Sequence, residues 1–310
     1  MYLGGINILN GNGLKAGANQ ATKIMLGSTQ VWINNYAPDA PTGFNATDDQ
    51  AGQVTVTFIP STDPGVPACT YDLYENNVLV ASSITSGYVH SVAAGTYDYK
   101  VKAVNIAGTV DSNVNSGLSK AAAGSQTFTS SGTFTIPIGY TSVTVCMVGG
   151  GGGGSQGGYH KAGGYAGTIN NQVVLGTSGQ TISVTVGSGG AGARGTDNNS
   201  RAGSAGSASV FGSVTASGGG GGSASNSANQ PYYGHGVSRT TCGGTGTDGS
   251  QSNVGGWTAS GGQSSGFGNG GNGNRVDYGT AGSGGVGSGG GGARHYAGDG
   301  GRGEVRVSWS

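Results

Sequence analysis

The chain has 310 residues, of which 70 are glycine and only 8% are charged. With 34% hydrophobic residues, this composition excludes a charged disordered tail and a coiled coil. Thirteen basic residues balance thirteen acidic ones, and a formal charge of zero argues against nucleic acid or an anionic membrane as the partner.

No run of 18 or more apolar residues predicts a membrane span, and residues 1–10 lack the pattern of a secretory signal. We therefore expect a soluble protein that is made in the cytoplasm and does not insert into membranes.

The three cysteines, Cys69, Cys146 and Cys242, are odd in number and far apart. They lack the spacing of a zinc or redox motif, so we expect three free thiols.

Glycine is unevenly distributed, with 14 glycines in residues 1–124 and 56 in residues 125–310. A second boundary is set by Pro38 and Pro41, which disfavour a helix. We therefore predict three domains: residues 1–37, residues 38–122 and residues 125–310.

The first domain contains two similar patterns, around Tyr2–Ile8 and Met25–Val31, that each predict a small hairpin. About 36 residues cannot bury a core alone, so this domain is expected to dock on a neighbour.

The segment Thr22–Ile33, TKIMLGSTQVWI, resembles a segment found in bacteriophage tail and minor structural proteins. The resemblance implies a unit that docks on the virion; the alternative is an edge hairpin that covers the next domain. The docking candidates are Tyr2, Leu3, Ile24, Leu26, Val31 and Trp32.

The second domain alternates polar and apolar residues, as in Gln53–Phe58 and Thr96–Val104, and predicts a β-sandwich of about seven short strands. With Pro41–Phe44 and Gly95–Asn105, it resembles a fibronectin type III domain. Tyr97 stands where that family has its tyrosine-corner residue, whereas Phe58 and Ile59 stand where it commonly has a core tryptophan. The resemblance implies a spacer; direct contact with a receptor is the alternative.

The third domain has alternating stretches separated by glycine tracts. Strands are predicted at Phe128–Ile136, Ser142–Val148, Ile169–Leu175, Thr181–Val186, Ser209–Ala216 and Glu304–Trp309. We expect a β-sheet base from which polyglycine-II-like loops project, because glycine helices approach closely enough to bond backbone to backbone. The alternative is a flexible glycine linker. The fold class is thus all-β throughout.

The stretch Thr127–Gly154, with Gly163–Gly192 and the terminal strand, resembles the glycine-rich domain of phage tail fibre proteins. The resemblance implies a distal receptor-binding domain, in which loops between glycine tracts contact the host surface.

The glycine tracts are interrupted by segments in which aromatic and cationic residues are concentrated. Such side chains give a binding surface large contact area with a polar group at the end. The receptor-binding candidates are Tyr159, His160, Tyr232, Tyr233, His235, Arg239, Trp257, Tyr278, His295 and Tyr296. The alternative is that these aromatics only fill space in a domain that is poor in side chains.

Catalysis is not indicated, because the acidic residues after Gly124 are widely separated and form no paired-carboxylate motif. Gly187, Gly189 and Gly192 match GxGxxG without a following helix, and Gly243–Gln251 matches a calcium nonapeptide only in part and has no tandem copy. We expect no catalytic residue, metal or cofactor.

These features together predict a non-enzymatic bacteriophage tail or tail-fibre receptor-binding protein, an adhesin that acts outside the cell as part of the virion. The expected partners are other tail or fibre proteins at the N-terminal domain and a host surface polysaccharide or outer-membrane protein at the glycine-rich domain. The alternatives are a structural virion protein, such as a decoration or minor tail component, and a cellular surface adhesin.

Overall fold

The computed structural model describes residues 35–48, 50–65, 67–157, 161–197, 199–224, 247–254, 257–265, 267–274 and 279–310, together with six short strands before residue 34. Of those six strands, and of residues 253–254 and 257–258, only the backbone is described. All regular elements in these ranges are β-strands, which confirms the all-β fold class. The described part of the chain contains no helix that could cross a membrane. The chain divides into two compact units, residues 1–122 and 123–310.

The first unit begins with short strands that pair in chain order. They are β1 (Tyr2–Leu3), β2 (Ile6–Asn7), β3 (Lys15–Ala16), β4 (Asn19–Gln20), β5 (Lys23–Leu26) and β6 (Thr29–Ile33). Strands β1 to β4 form one antiparallel sheet, and β5 and β6 form a separate hairpin. Both predicted hairpins are thereby confirmed; in the second, Ile24 lies opposite Trp32.

The rest of the first unit forms two sheets. Its strands are β7 (Thr42–Ala46), β8 (Gln50–Ala51), β9 (Gln53–Ile59), β10 (Thr70–Glu75), β11 (Val78–Ala81), β12 (Tyr88–Ser91), β13 (Gly95–Asn105), β14 (Gly108–Asp111) and β15 (Asn115–Lys120). One sheet has the order β12–β9–β7, and the other has the order β11–β10–β13–β15–β8, with β14 paired to β13.

A single buried cluster takes side chains from both sheets, including Val54, Val56 and Phe58 of β9 and Leu73 and Tyr99 of the other sheet. Because these positions alternate along their strands, the predicted period of two is confirmed for β9. Near the start of β13, the hydroxyl of Tyr97 donates a hydrogen bond to the carbonyl oxygen of Ala93 at 3.3 Å.

The second unit rests on two four-stranded antiparallel sheets. Its strands are β16 (Gly124–Phe128), β17 (Gly132–Thr135), β18 (Ser142–Val148), β19 (Ile169–Leu175), β20 (Thr181–Thr185), β21 (Ser209–Phe211), β22 (Val214–Ala216), β23 (Ser252–Val254), β24 (Trp257–Ala259) and β25 (Glu304–Trp309). The sheets have the orders β16–β25–β18–β19 and β17–β20–β21–β22. Phe134 of the second sheet contacts the rings of Phe128 and Trp309 of the first, so aromatic side chains join the two sheets.

Two predicted strands are in fact pairs of strands. Phe128–Ile136 divides into the end of β16 and the whole of β17, which belong to different sheets, because the polar residues 129–131 carry the chain from one sheet to the other. Ser209–Ala216 is the hairpin β21–β22, which turns at Gly212 with a φ of 59°. Alternation alone reveals neither change of direction.

The expectation of three free thiols is wrong for one of them. Cys146, in β18, is disulfide-bonded, whereas Cys69 is a free thiol. Cys242 lies outside the described residues. Widely separated cysteines gave no local spacing from which this bond could be predicted.

The glycine-rich sequence forms extended tracts that run side by side from the two sheets. We number them T1 (149–157), T2 (161–168), T3 (187–193), T4 (201–208), T5 (217–223), T6 (247–251), T7 (259–265), T8 (268–274), T9 (280–285), T10 (287–293) and T11 (297–303). Backbone hydrogen bonds connect each of these tracts to at least two others, so they form a bundle and not the flexible linker of the alternative interpretation.

The hydrogen bonds of T1 repeat every three residues. The amides of Gly149, Gly152 and Ser155 donate to carbonyls of T2, those of Gly150, Gly153 and Gln156 donate to T4, and those of Gly151 and Gly154 donate to T11, all at 2.8–3.1 Å. The carbonyl oxygens of T1 accept hydrogen bonds from amides of T3, T5 and T10, and these bonds also repeat every three residues. A three-residue repeat with no bond inside the tract is that of a polyglycine-II-type helix. T1 therefore has six hydrogen-bonded neighbours.

T10 also has six hydrogen-bonded neighbours: T1, T2, T7, T8, T9 and T11. The full set of bonds among the described tracts arranges them in three layers. The layers have the orders T5–T2–T7–T6, T4–T1–T10–T8 and T3–T11–T9, with T1 and T10 in the middle layer. The core of the bundle is therefore made of peptide groups rather than of apolar side chains.

Glycine is required where two tracts approach most closely. A Cβ atom built on Gly152 of T1 would overlap the carbonyl oxygen of Gly220 of T5, and one built on Gly154 would overlap that of Gly291. In contrast, a Cβ on Gly220 itself meets only a side-chain atom of Tyr165, at 3.5 Å, which is an ordinary contact. Glycine is therefore obligatory inside the bundle and replaceable at part of its surface.

We predict that Gly152→Ala lowers the free energy of unfolding of the second unit by about 3 kcal/mol, because an added methyl group must separate T1 from T5. Differential scanning calorimetry would show this as a melting temperature lower by roughly 6–12 °C. Gly220→Ala is the matched control, with a shift within about 2 °C of the parent. Equal melting temperatures for the two variants would contradict the close packing of T1.

Candidate functional site

Most consecutive tracts run in opposite directions and therefore meet at one or the other of two ends of the bundle; T5 and T6 are the exception, because both run away from the sheets. T1 leaves β18, T2 enters β19, T3 follows β20, T4 enters β21, T5 leaves β22 and T11 enters β25, so one end is that of the sheets. T7 and T8, and likewise T9 and T10, also meet toward that end, since the Gly285 amide donates to Asn269 and the Ser265 amide donates to Ser288.

The other end, which we call the distal end, is where T1 and T2, T3 and T4, T6 and T7, T8 and T9, and T10 and T11 meet, on either side of residues 158–160, 194–200, 252–258, 275–279 and 294–296. T5 also ends there, whereas T6 begins toward the sheets, where the Thr247 amide donates to the side chain of Asn269. Hydrogen bonds across this end include Ser260 to Lys161, Gln156 to Arg201 and Asn274 to Gly292. Five of the six interrupting segments that the sequence singled out fall between these tract ends, and the sixth, residues 231–239, lies outside the described residues. Residues spread over 140 positions of the sequence thus flank one surface.

Most of the receptor-binding candidates fall outside the described residues. These are Tyr159, His160, Tyr232, Tyr233, His235, Arg239 and Tyr278. Trp257 lies in β24, opposite Val254 of β23, so the hairpin that carries it is described in backbone alone. For these residues the prediction of a binding role stays a prediction.

His295 and Tyr296 are described, and they differ in exposure. His295 is buried, with Nδ1 3.2 Å from the carbonyl oxygen of Gly195, whose amide donates to the carbonyl of His295 at 3.0 Å. This burial favours the packing interpretation for His295. Tyr296 is half-buried, and its backbone bridges to Arg194 on one side and Thr280 on the other.

Gln156, the last but one residue of T1, holds two distal connections together. Its side chain is fully buried, and Nε2 donates to the carbonyl oxygens of Asp197 and Arg294, both at 2.9 Å. Its Oε1 accepts a hydrogen bond from Nη1 of Arg201 at 3.1 Å. One amide side chain thus uses its donors and its acceptor on two stretches of chain, residues 197–201 and Arg294.

Two ion pairs between arginine and aspartate lie at the surface of the distal end. Arg201 donates to both carboxylate oxygens of Asp197, and Arg194 donates through Nη2 to both oxygens of Asp299. The hydrogen bonds from Arg201 hold the pKa of Asp197 below its ordinary value of 3.8. Below these pairs, Nζ of the buried Lys161 donates to Oγ of Ser200 at 2.7 Å.

The sequence did not single out Gln156, Lys161, Asp197 or Asp299 as site residues. Gln156 could have been noticed, because it is a large polar residue directly after six glycines and a serine. Asp299 could not, because it is 105 residues from its partner Arg194, whereas Asp197 stands only four residues before Arg201.

The described acidic residues of this unit accept hydrogen bonds from arginines or from backbone amides. Oδ1 of Asp248 accepts a hydrogen bond from the amide of Ser264, and Asp277 lies outside the described residues. Within the described ranges, no group of three or more His, Cys, Asp or Glu side chains could hold a metal ion.

Comparison with known proteins gives one family match. A family model described as a glycine-rich domain matches residues 125–310, which is more than half of the chain. No curated protein matches the chain significantly.

We predict that Gln156→Leu loosens the distal end, because two carbonyl groups and one guanidinium lose their partner at a cost of about 1–3 kcal/mol. Limited digestion with trypsin measures this directly, since Arg194, Arg201 and Arg294 are cleavage sites in or beside the two connections. Cleavage there should become faster. Gln172→Leu, the same change at an exposed position of β19, is the control, and equal rates in the two variants would contradict the role of Gln156.

A second prediction concerns the protonation of Asp197. Its lowered pKa means that the stabilisation by the Arg201 pair is present above 3.8 and is lost as the pH falls through the folded-state pKa. Arg201→Gln should raise the pKa of Asp197 toward its ordinary value, which NMR titration of the side-chain carboxyl carbon measures. An unchanged titration midpoint would contradict the ion pair.

Proposed function

The chain belongs to the glycine-rich domain family, and we propose that it is a bacteriophage tail or tail-fibre protein that attaches the virion to the host cell surface. The observation that carries the proposal is that the tract ends flanking five connections converge at the distal end of the bundle. The interrupting segments hold the aromatic and cationic residues that a binding surface uses.

The bundle gives these connections a rigid support. Because T1 and T10 are bonded to six neighbours each, the ends of the tracts are fixed before a ligand arrives. A surface held in place in this way loses less conformational entropy on binding than flexible loops would. Many copies on one virion would turn weak contacts into strong attachment. Attachment at a single tip is then reversible.

The first unit would connect this tip to the virion. We propose that its sandwich is a fibronectin type III domain that acts as a spacer, supported by the sheet order β12–β9–β7 and by the bond from Tyr97 to Ala93. The hairpin β5–β6, which carries the segment that resembles phage tail proteins, would dock on another tail or fibre protein. The protein would act by adhesion alone, without a catalytic step, metal or cofactor.

We predict that the purified full chain, labelled with a fluorophore, binds saturably to cells of the host in a panel of bacterial strains. Tyr232→Ala/Tyr233→Ala/Trp257→Ala should weaken that binding at least about tenfold, because buried aromatic anchors carry much of the energy of an interface. Tyr165→Ala removes an exposed tyrosine from the side of T2 and should leave the binding unchanged.

Flow cytometry with intact cells measures the binding, and circular dichroism verifies that each variant is folded. Failure of the folded parent to bind any strain would favour a structural virion protein instead. Binding that persists in the triple variant would leave adhesion standing and would remove these three residues from the site.

A further inference from the structure

Strand β19 (Ile169–Leu175) lies at the edge of its sheet and has a partner strand, β18, on one side. The two strands pair without a shift of register. At the ends of this ladder, the Gly149 amide donates to the carbonyl of Thr168 and the Gly176 amide donates to the carbonyl of Thr141. Hydrogen-bonded positions alternate in an antiparallel pair. The even-numbered residues of β19 therefore face β18, and the odd-numbered residues face away from it.

Three residues of β19, Asn171, Val173 and Leu175, thus point their backbone amides and carbonyls away from the sheet. Within the part of the chain that the structure describes, these groups form no hydrogen bond. The start of β19 is less open, because it approaches β22, where the side chain of Asn170 donates to the carbonyl of Thr215. We call the stretch from Asn171 to Leu175 the free edge.

The free edge lacks the features that normally prevent an edge strand from pairing with another chain. Natural proteins protect such strands with charged residues, proline, a bulge or short length. Residues 162–193 contain no charged residue and no proline. Strand β19 has seven residues, whereas the other outer strands of the two sheets, β16, β17 and β22, have three to five. Its apolar side chains are also open to solvent, since Val173 is 61% and Leu175 is 79% exposed.

We infer that the free edge binds a β-strand, and that this strand is β19 of a second copy of the chain. An antiparallel pair about a two-fold axis at Val173 places Val173 opposite its own copy and Asn171 opposite Leu175. Each opposed pair then exchanges two hydrogen bonds, which satisfies the outward amides and carbonyls of both copies. The four-stranded sheets of the two copies join into one sheet of eight strands.

The chemistry of the free edge favours its own copy over an unrelated protein. Complementary charges give an interface specificity for a different partner, and the free edge has no charged residue. In the two-fold register, Val173 meets Val173, so an apolar residue lies opposite an apolar residue at the centre and no like charges oppose each other. A pair of such short edges buries less area than a standard interface, so we expect a dissociation constant of about 10 µM.

Sedimentation velocity of the full chain, from about 1 µM to about 300 µM, tests the dimer. The parent should change from monomer to dimer over this range. Val173→Lys places two like charges opposite each other and should weaken the dimer at least about tenfold. Val173→Pro removes an amide that faces away from the sheet, a position where an edge strand tolerates proline, and should also weaken the dimer.

Val78→Lys is the matched control, because Val78 is 65% exposed in β11, an edge strand of the first unit. This variant should dimerise like the parent, and circular dichroism verifies that each variant is folded. A parent that stays monomeric at the highest concentration would overturn the inference and leave the free edge to a different partner. Equal weakening by Val173→Lys and Val78→Lys would overturn it as well.

Amide hydrogen exchange, followed by NMR at low and at high protein concentration, tests the register. The amides of Asn171, Val173 and Leu175 gain partners in the dimer, so their exchange should slow at least about fivefold at high concentration. The amides of Gln172 and Val174 face β18 in monomer and dimer alike, and their exchange should not change. Equal slowing at the odd and even positions, or no slowing at the odd ones, would overturn the pairing.

This inference goes beyond the proposed function, and the two can fail separately. A chain that binds cells but stays monomeric would overturn the dimer and leave adhesion standing. A chain that dimerises through the free edge but binds no bacterial strain would support the dimer and count against adhesion.

Discussion

The second unit depends on hydrogen bonds between the backbones of neighbouring glycine tracts. In an ordinary domain, apolar side chains fill the core and the backbone satisfies itself in helices or sheets. In the bundle, the peptide groups of T1 and T10 are satisfied by six neighbours each, and this is possible only where no Cβ stands between the chains. The high glycine content is therefore a packing requirement and not a sign of flexibility.

This constraint explains where the chemistry of the molecule can be placed. Side chains larger than alanine fit poorly inside the bundle, so the aromatic and charged residues collect in the sheets below it and in the connections at its distal end. The sheets bury Phe128, Phe134 and Phe211, and these rings, with that of the half-buried Trp309, hold the base together. Among the described residues, the distal end holds Arg194, Arg201 and Arg294. A rigid support of this kind suits the adhesive function that we propose.

The sequence predicted those features that repeat locally. Alternation located β9, β18, β19 and β25 almost to the residue, and glycine composition located the bundle. It could not predict the order of the layers, because tracts that are nearly all glycine carry no side chains to distinguish one neighbour from another. For the same reason Gln156, which bonds to residues 41 and 138 positions away, was not recognised as a hub, and the disulfide of Cys146 was missed. Of the binding candidates, only His295 and Tyr296 have described side chains, and the burial of His295 shows that aromatic or cationic character does not by itself make a contact residue.

The most direct test of this account is amide hydrogen exchange of the second unit, followed by NMR with the glycines of T1 assigned. If the tracts bond to one another, the amides of Gly150–Gly154 should exchange as slowly as those of β18, at rates set by unfolding of the whole unit, although no side chain covers them. Amides on the outer tracts, such as Gly218 of T5, should exchange faster. Exchange of Gly150–Gly154 at the rate of an unstructured glycine-serine chain would contradict the bundle and, with it, the rigid distal end.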